Sequence, residues 1–204
     1  MARPRTDIAP RIVHAARQRF LREGVDGASL RRIARDAKTS IGMVYYYFPT
    51  KDDLFLAVVE EVYVALLADL EVALAPDAPV PVRVQRFYER IARLHDDELL
   101  MVRLVLREAL TSTSRLDRLI ERFQRGHIPL LIRMVQDGTA NGTFGAQHSP
   151  LTVALSLVSL AGPAQLIRRV IEQRLPFVEA PKGNDLAAEL ADVLFNGVAA
   201  RPQS

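Results

Sequence analysis

Apolar residues recur at helical spacing along nearly the whole chain, and that periodicity limits the fold more than composition does. Ile8, Ile12, Ala16 and Phe20 lie four apart and form one stripe. Leu30, Ile33, Ala34 and Ala37 follow the i, i+3, i+4, i+7 pattern of a second, short helix, with Ser29 placed as its N-cap. Gly24 and Gly27 separate the two. After a break at Lys38-Thr39-Ser40, Ser40 can cap a third helix over residues 41–47, which turns Ile41, Val44 and Phe48 inward and stops at Pro49. Thr50-Lys51-Asp52-Asp53 resembles a capping box with Asp at the third helical position. It opens a long fourth helix, with Leu54, Phe55, Val58, Val59, Val62 and Leu66 facing inward, that ends before Pro76. Further helices are expected near 80–95, 97–111, 114–140, 150–175 and 184–199, and Pro129 should kink or split the third of these. No period-2 strand pattern stands out. The expectation is an all-α chain of about nine helices.

Composition excludes several functions. The 204 residues include no Cys, which removes disulfides, thiolate clusters and Cys nucleophiles. A Gly-rich phosphate loop, G-x-S-x-G and H-E-x-x-H are also absent from the sequence, so catalysis is not expected. His95-Asp96-Asp97-Glu98 looks like a metal cluster, but consecutive residues rarely converge on one ion; no metal or cofactor is expected. The start, MARPRTDIAPRI, lacks the apolar core of a secretory signal, and a cytoplasmic protein is expected. Residues 138–167 carry no formal charge and Leu151–Ile167 is strongly apolar. That stretch opens with Gly, Asn, Gln and His and is interrupted by Gly162-Pro163, so a buried or interface helix is expected rather than a membrane partner.

Charge is unevenly placed. Residues 1–51 hold 11 basic and 4 acidic residues, net +7, and residues 52–204 hold 16 and 20, net −4. A basic head on an acidic body suits a polyanion partner. Within the head, two short helices joined by three or four residues make a helix-turn-helix, whose second helix enters the major groove. Tyr45, Tyr46 and Tyr47 are consecutive in that helix. Successive positions are about 100° apart, so the three span about 200° of arc. Val44 and Phe48 take the buried side, and at least one tyrosine must leave the core. An exposed phenol beside a basic surface is a phosphate donor. Lys51 falls in the first turn of a helix, where a cation is unfavourable unless an anion docks beside it.

The run Ser29-Leu30-x-x-Ile33-Ala34-x-x-Ala37, then Ser40-x-Gly42-x-Val44-Tyr45-x-Tyr47-Phe48-x-x-Lys51-x-x-Leu54, resembles the DNA-binding signature of TetR/AcrR-type repressors over about residues 8–60. The resemblance implies a helix-turn-helix domain at residues 1–50 and a helical ligand-binding and dimerisation domain at 51–204. It implies a homodimer on double-stranded operator DNA, released by a small-molecule effector. An architectural DNA-binding protein without an effector is the alternative. The resemblance makes Tyr45, Tyr47 and Lys51 backbone contacts and places Thr39 and Ser40 at phosphate or bases. Ile41, Gly42 and Met43 then face the groove floor, Arg31 is the candidate for a guanine contact or else a phosphate contact, and Ser29 and Tyr46 complete the DNA-facing set. Arg3 and Arg5 are either a basic arm that follows the backbone or enters the minor groove, or a disordered tail. Two positions depart from the family pattern: Lys38 stands where Gly is usual in the turn, and Tyr47 where His is frequent.

In the body, Phe87, Tyr88, His95, Met101, Leu104, Phe123, His127 and Met134 are candidates for lining an adaptable, largely apolar effector pocket, or are core. Leu151, Leu155, Val158 and Gly162, with Leu186, Leu190, Val193, Leu194 and Val198 of the last helix, are the expected dimer interface, a four-helix bundle across a twofold axis. Arg83, Arg86, Arg90 and Arg93, and Arg115, Arg118, Arg122 and Arg125, recur at helical spacing. They suit a solvated face with pairs such as Glu121–Arg125, or an anion.

Overall fold

The computed structural model describes residues 7–175 and 177–197; Arg3, Arg5 and Val198 lie outside them. Among the described residues there are ten helices and no strand: α1 (Ile8–Gly27), α2 (Leu30–Asp36), α3 (Ile41–Tyr47), α4 (Lys51–Ala73), α5 (Val80–Ala92), α6 (Asp96–Thr111), α7 (Thr113–Gln124), α8 (His127–Ala140), α9 (Pro150–Arg174) and α10 (Gly183–Asn196). The tenth arises because the segment expected at 114–140 is two helices. The break falls at Arg125-Gly126, and Pro129 sits in the first turn of α8, where its missing N–H has no intrahelical partner to lose. Gly162-Pro163, read as an interruption, does not break α9, which runs on to Arg174. Pro163 is exposed, as is Ser159 one turn earlier, so the carbonyl deprived of a donor lies on a wet face.

The helices form two compact units. The first combines residues up to Leu66 with Asp96–Arg122, and the second combines Leu67–His95 with the chain from Phe123 onward. Packing therefore does not divide at residue 50. Leu54, Phe55 and Val58 of α4 are fully buried in the first unit, as are Ile12, Ala16, Phe20, Ile33 and Val44. Phe20 meets Phe55 edge-on, centroids 6.5 Å apart. Here α1 packs on α2, α3 and α6, and α2 on α3.

In the second unit α5 packs against α8, α9 and α10. Its core includes Leu74, Val84, Tyr88, Met134, Leu157 and Ala187. Arg83 is buried with them: its Nε donates to the Leu74 carbonyl at 3.1 Å and its Nη1 to Asp137 at 2.6 Å. A Cβ at Gly138 would overlap the Phe144 ring, so glycine is required where α8 meets the loop behind it. On length and composition alone α9 could cross a membrane. Its inner side is set by Val153, Leu157, Ala161, Gln165 and Arg168, while Leu151, Leu155 and Val158 on the opposite side are exposed.

Candidate nucleic-acid interface

The sequence periodicity of α2 and α3 becomes a helix-turn-helix. The hydroxyl of Ser40 accepts from the Met43 amide at 3.3 Å and caps α3. Ser29 occupies the N-cap of α2 by backbone geometry, but its hydroxyl makes no cap and no other hydrogen bond among the described residues. In the turn, the amides of Lys38 and Thr39 donate to the carbonyls of Arg35 and Ala34, each at 3.0 Å. Lys38 adopts φ +52°, the one non-glycine residue with positive φ among the described residues. The departure from Gly is thus carried with backbone strain at Lys38. The expected capping box forms at α4: the Asp53 amide donates to Thr50 Oγ1 at 3.0 Å, and the Thr50 amide donates to Asp53 at 2.9 Å.

Two of the three consecutive tyrosines leave the core. Tyr45 is 53% exposed and Tyr46 is 76% exposed, while Tyr47 is half-buried with its ring edge-on to Tyr46 at 5.1 Å. Gly42 is exposed, and Thr39, Ile41 and Met43 are half-buried. Ser29, Arg31, Ile41, Tyr45 and Lys51 line one shallow concavity of about 490 Å³. Arg31 is exposed and makes no ion pair among the described residues. Its neighbour Arg32, by contrast, is held by Glu23 at 2.5 Å. Lys51 opens α4, as expected. Its ammonium donates to the carbonyls of Val25 and Asp26, 3.1 Å each, and so caps the end of α1. One of its three N–H donors remains for the concavity.

Sequence reasoning missed the support behind this surface. Gly24 breaks α1 with φ +77°, ψ +167°, and the freed backbone is satisfied from α6. Arg107 donates to the Phe20 carbonyl at 2.6 Å, and Glu108 accepts from the Val25 amide at 3.2 Å. Arg115 of α7 is buried at the centre. It donates to Glu108 at 2.5 Å and to Asp52 at 3.0 Å, and it pairs with Asp26. That pairing holds the Asp26 carboxyl below the usual carboxylate range. The Thr50 hydroxyl, then the Arg118 guanidinium, do the same for Asp53. Burial alone would lower the Arg115 pKa, but its carboxylate partners raise it overall. These partners lie 7 to 89 residues apart in sequence, beyond any local pattern.

Residues 12–58 match the family of bacterial regulatory proteins, tetR family. That segment is a TetR-type helix-turn-helix domain. The HTH-type transcriptional repressor SCO4008 of Streptomyces coelicolor is 27% identical over 77% of this chain and 78% of that protein. A solved bacterial regulatory protein of the tetR family from Rhodococcus RHA1 superposes with TM-score 0.69 at 22% identity, covering 95% of this chain and 98% of that one. The transcriptional regulator FadR from Bacillus subtilis, solved in complex with stearoyl-CoA, gives TM-score 0.74 at 15% identity over 93% and 99% of the two chains. The matched segment and these likenesses mark the chain as a TetR-type DNA-binding transcriptional regulator, not an enzyme.

The pocket candidates are divided between the two units. Met101 and Leu104 are buried in the first unit. Leu104 also lines a cleft of about 250 Å³ with Leu21, Leu100, Arg103 and Arg107. Phe87, Tyr88 and Met134 are core of the second unit, His95 is exposed, and Phe123 and His127 are half-buried with rings 4.9 Å apart. Tyr88 alone among the eight carries a buried hydroxyl without a hydrogen-bond partner, and burial pushes that phenol's pKa up. The arginine stripes are largely engaged in ion pairs within their own units. Arg83, Arg86 and Arg90 pair with Asp137, Asp77 and Asp69, while Arg118 and Arg122 pair with Asp53 and Glu60. Arg122 also lies 4.6 Å over the Tyr63 ring. Arg93–Glu89 fits the anticipated i,i+4 pattern.

Proposed function

We propose that this protein is a homodimeric, ligand-responsive repressor that binds a palindromic operator. One observation carries the reading: Tyr45 and Tyr46 stand exposed on a Ser40-capped helix beside an unpaired Arg31, in a head of net charge +7. Phenols and cations so displayed grip phosphates while the first turn of α3 meets base edges. Specific reading needs two half-sites, hence a second copy. The outer face of α9 suits it, since Leu151, Leu155 and Val158 are exposed and a Cβ at Gly162 meets nothing within 4 Å. Leu186, Leu190, Val193 and Leu194 of α10 are half-buried and would complete the interface. The effector site lies in the body, and the FadR neighbour's stearoyl-CoA puts long-chain acyl thioesters first among the compounds to screen.

Selection of bound duplexes from a random DNA pool, followed by a screen for compounds that release the selected duplex, tests the reading. A palindrome should emerge. Tyr45→Ala should lower its affinity about tenfold with the dimer still folded, and Arg31→Ala should relax preference at one base pair. Recovery of no preferred sequence would refute the reading.

A further inference from the structure

A second cleft in the first unit has about 630 Å³ of volume and shares no residue with the concavity around Tyr45. It runs between the first half of α1 and the turn before α3, lined by Pro10, Arg11, His14 and Gln18 on one side and by Asp36, Ala37 and Lys38 on the other, with Glu61 at its edge. Its acids are already engaged: Asp36 pairs with Arg19 at 2.7 Å, and Glu61 faces Arg17 at 3.8 Å. Its cations are not. Arg11, His14 and Lys38 make no side-chain hydrogen bond or ion pair among the described residues, and the Arg11 Nε is buried without a partner. Lys38 is moreover held in a left-handed conformation that favours glycine.

We propose that Arg11 and Lys38 form a second phosphodiester grip, on the strand across the major groove from the one held at Tyr45; this rests on the operator-binding reading. The seven residues of α3 span about 10 Å at 1.5 Å per residue, close to the groove width of about 12 Å. Laid across the groove, such a helix would bring its two ends near the two backbones that wall it. Tyr45 and Tyr46 serve its C-terminal end, and the cleft beside Lys38 serves the other. A diester oxygen would accept from the Lys38 ammonium and from the terminal nitrogens of Arg11, which, unlike its Nε, are not buried. Both cations contact backbone alone, so they set affinity and register without reading bases.

The test uses the full chain and the duplex recovered by selection, with affinity followed from 50 to 200 mM salt for wild type, Arg11→Gln, Lys38→Gly and the double variant. Each lost phosphate contact flattens the log–log salt slope by about 0.9, so the double variant should show a drop across this range about tenfold smaller than wild type. Base preference should stay unchanged. Lys38→Gly suits the backbone at that position, so it remains folded and carries the test alone if Arg11→Gln does not fold. A wild-type slope in the variants overturns the grip and leaves the operator reading intact. A changed base preference, or loss of inorganic phosphate binding with no change in slope, overturns it too. Failure of wild type to prefer any duplex refutes the operator reading itself.

Discussion

At the scale of the residue, α3 shows how much chemistry rests on what a side chain omits. Gly42 has ordinary helical geometry, and an added Cβ would meet only the Ser40 hydroxyl at 3.7 Å. Nothing in the free protein requires glycine there. Gly42→Ala should raise stability by about 0.5–1 kcal/mol in urea titrations, through helix propensity. The same variant should bind the selected operator more weakly, because the methyl group enters the space of the groove floor. Ser29 and Ser40 show what sequence can tell at this scale. Both were legible as N-cap positions, yet only Ser40 uses its hydroxyl as a cap, since the cap depends on a rotamer that spacing does not encode. Lys51 was legible as an anomalous cation at a helix start. Its actual acceptors, the Val25 and Asp26 carbonyls at the end of α1, were hidden because they lie 26 and 25 residues away in sequence.

At the scale of the element, helix positions followed from periodicity, and the ends followed wherever Gly, Pro or a capping box marked them. What periodicity could not show was the use of arginine. Arg115 and Arg118 look like a solvated stripe from sequence, and in the structure they tie α7 to the start of α4. Arg115→Met should cost about 3 kcal/mol, because it strands Glu108, which is 3% exposed, without its closest cation. The urea midpoint measures this. The depressed carboxyls of Asp26 and Asp53 add a pH dependence. Their contribution is complete above the ordinary carboxylate value, about pH 4, and is lost as pH falls through their lower folded values. Asp53→Asn should therefore flatten the acid limb of a stability–pH profile and leave the neutral region nearly level; an unchanged limb would count against this assignment.

At the scale of the whole molecule, the exposed apolar stripe on α9 is the feature that composition flagged and folding left uncovered. Leu155→Asp places a charge on that stripe at a residue already 59% exposed, so the fold of each chain should survive. The dissociation constant of the proposed dimer should rise by about 100-fold or more, since two carboxylates would enter one interface. Sedimentation equilibrium reads this directly, and an unshifted dimer would move the interface elsewhere. The all-α class and the helix-turn-helix were legible because both are written in local spacing. The composition of the two packing units was not, since it joins residues up to 66 to 96–122 across an intervening segment.

The break at Gly24 has a practical consequence for anyone who would transplant this reading head. Its loose backbone ends are tied off by Arg107 and Glu108, which the chain supplies some eighty residues later. A chimera cut after residue 50 or 66 would carry the tyrosines and leave their fastenings behind, whereas a graft that takes residues 96–122 along with the head transfers both.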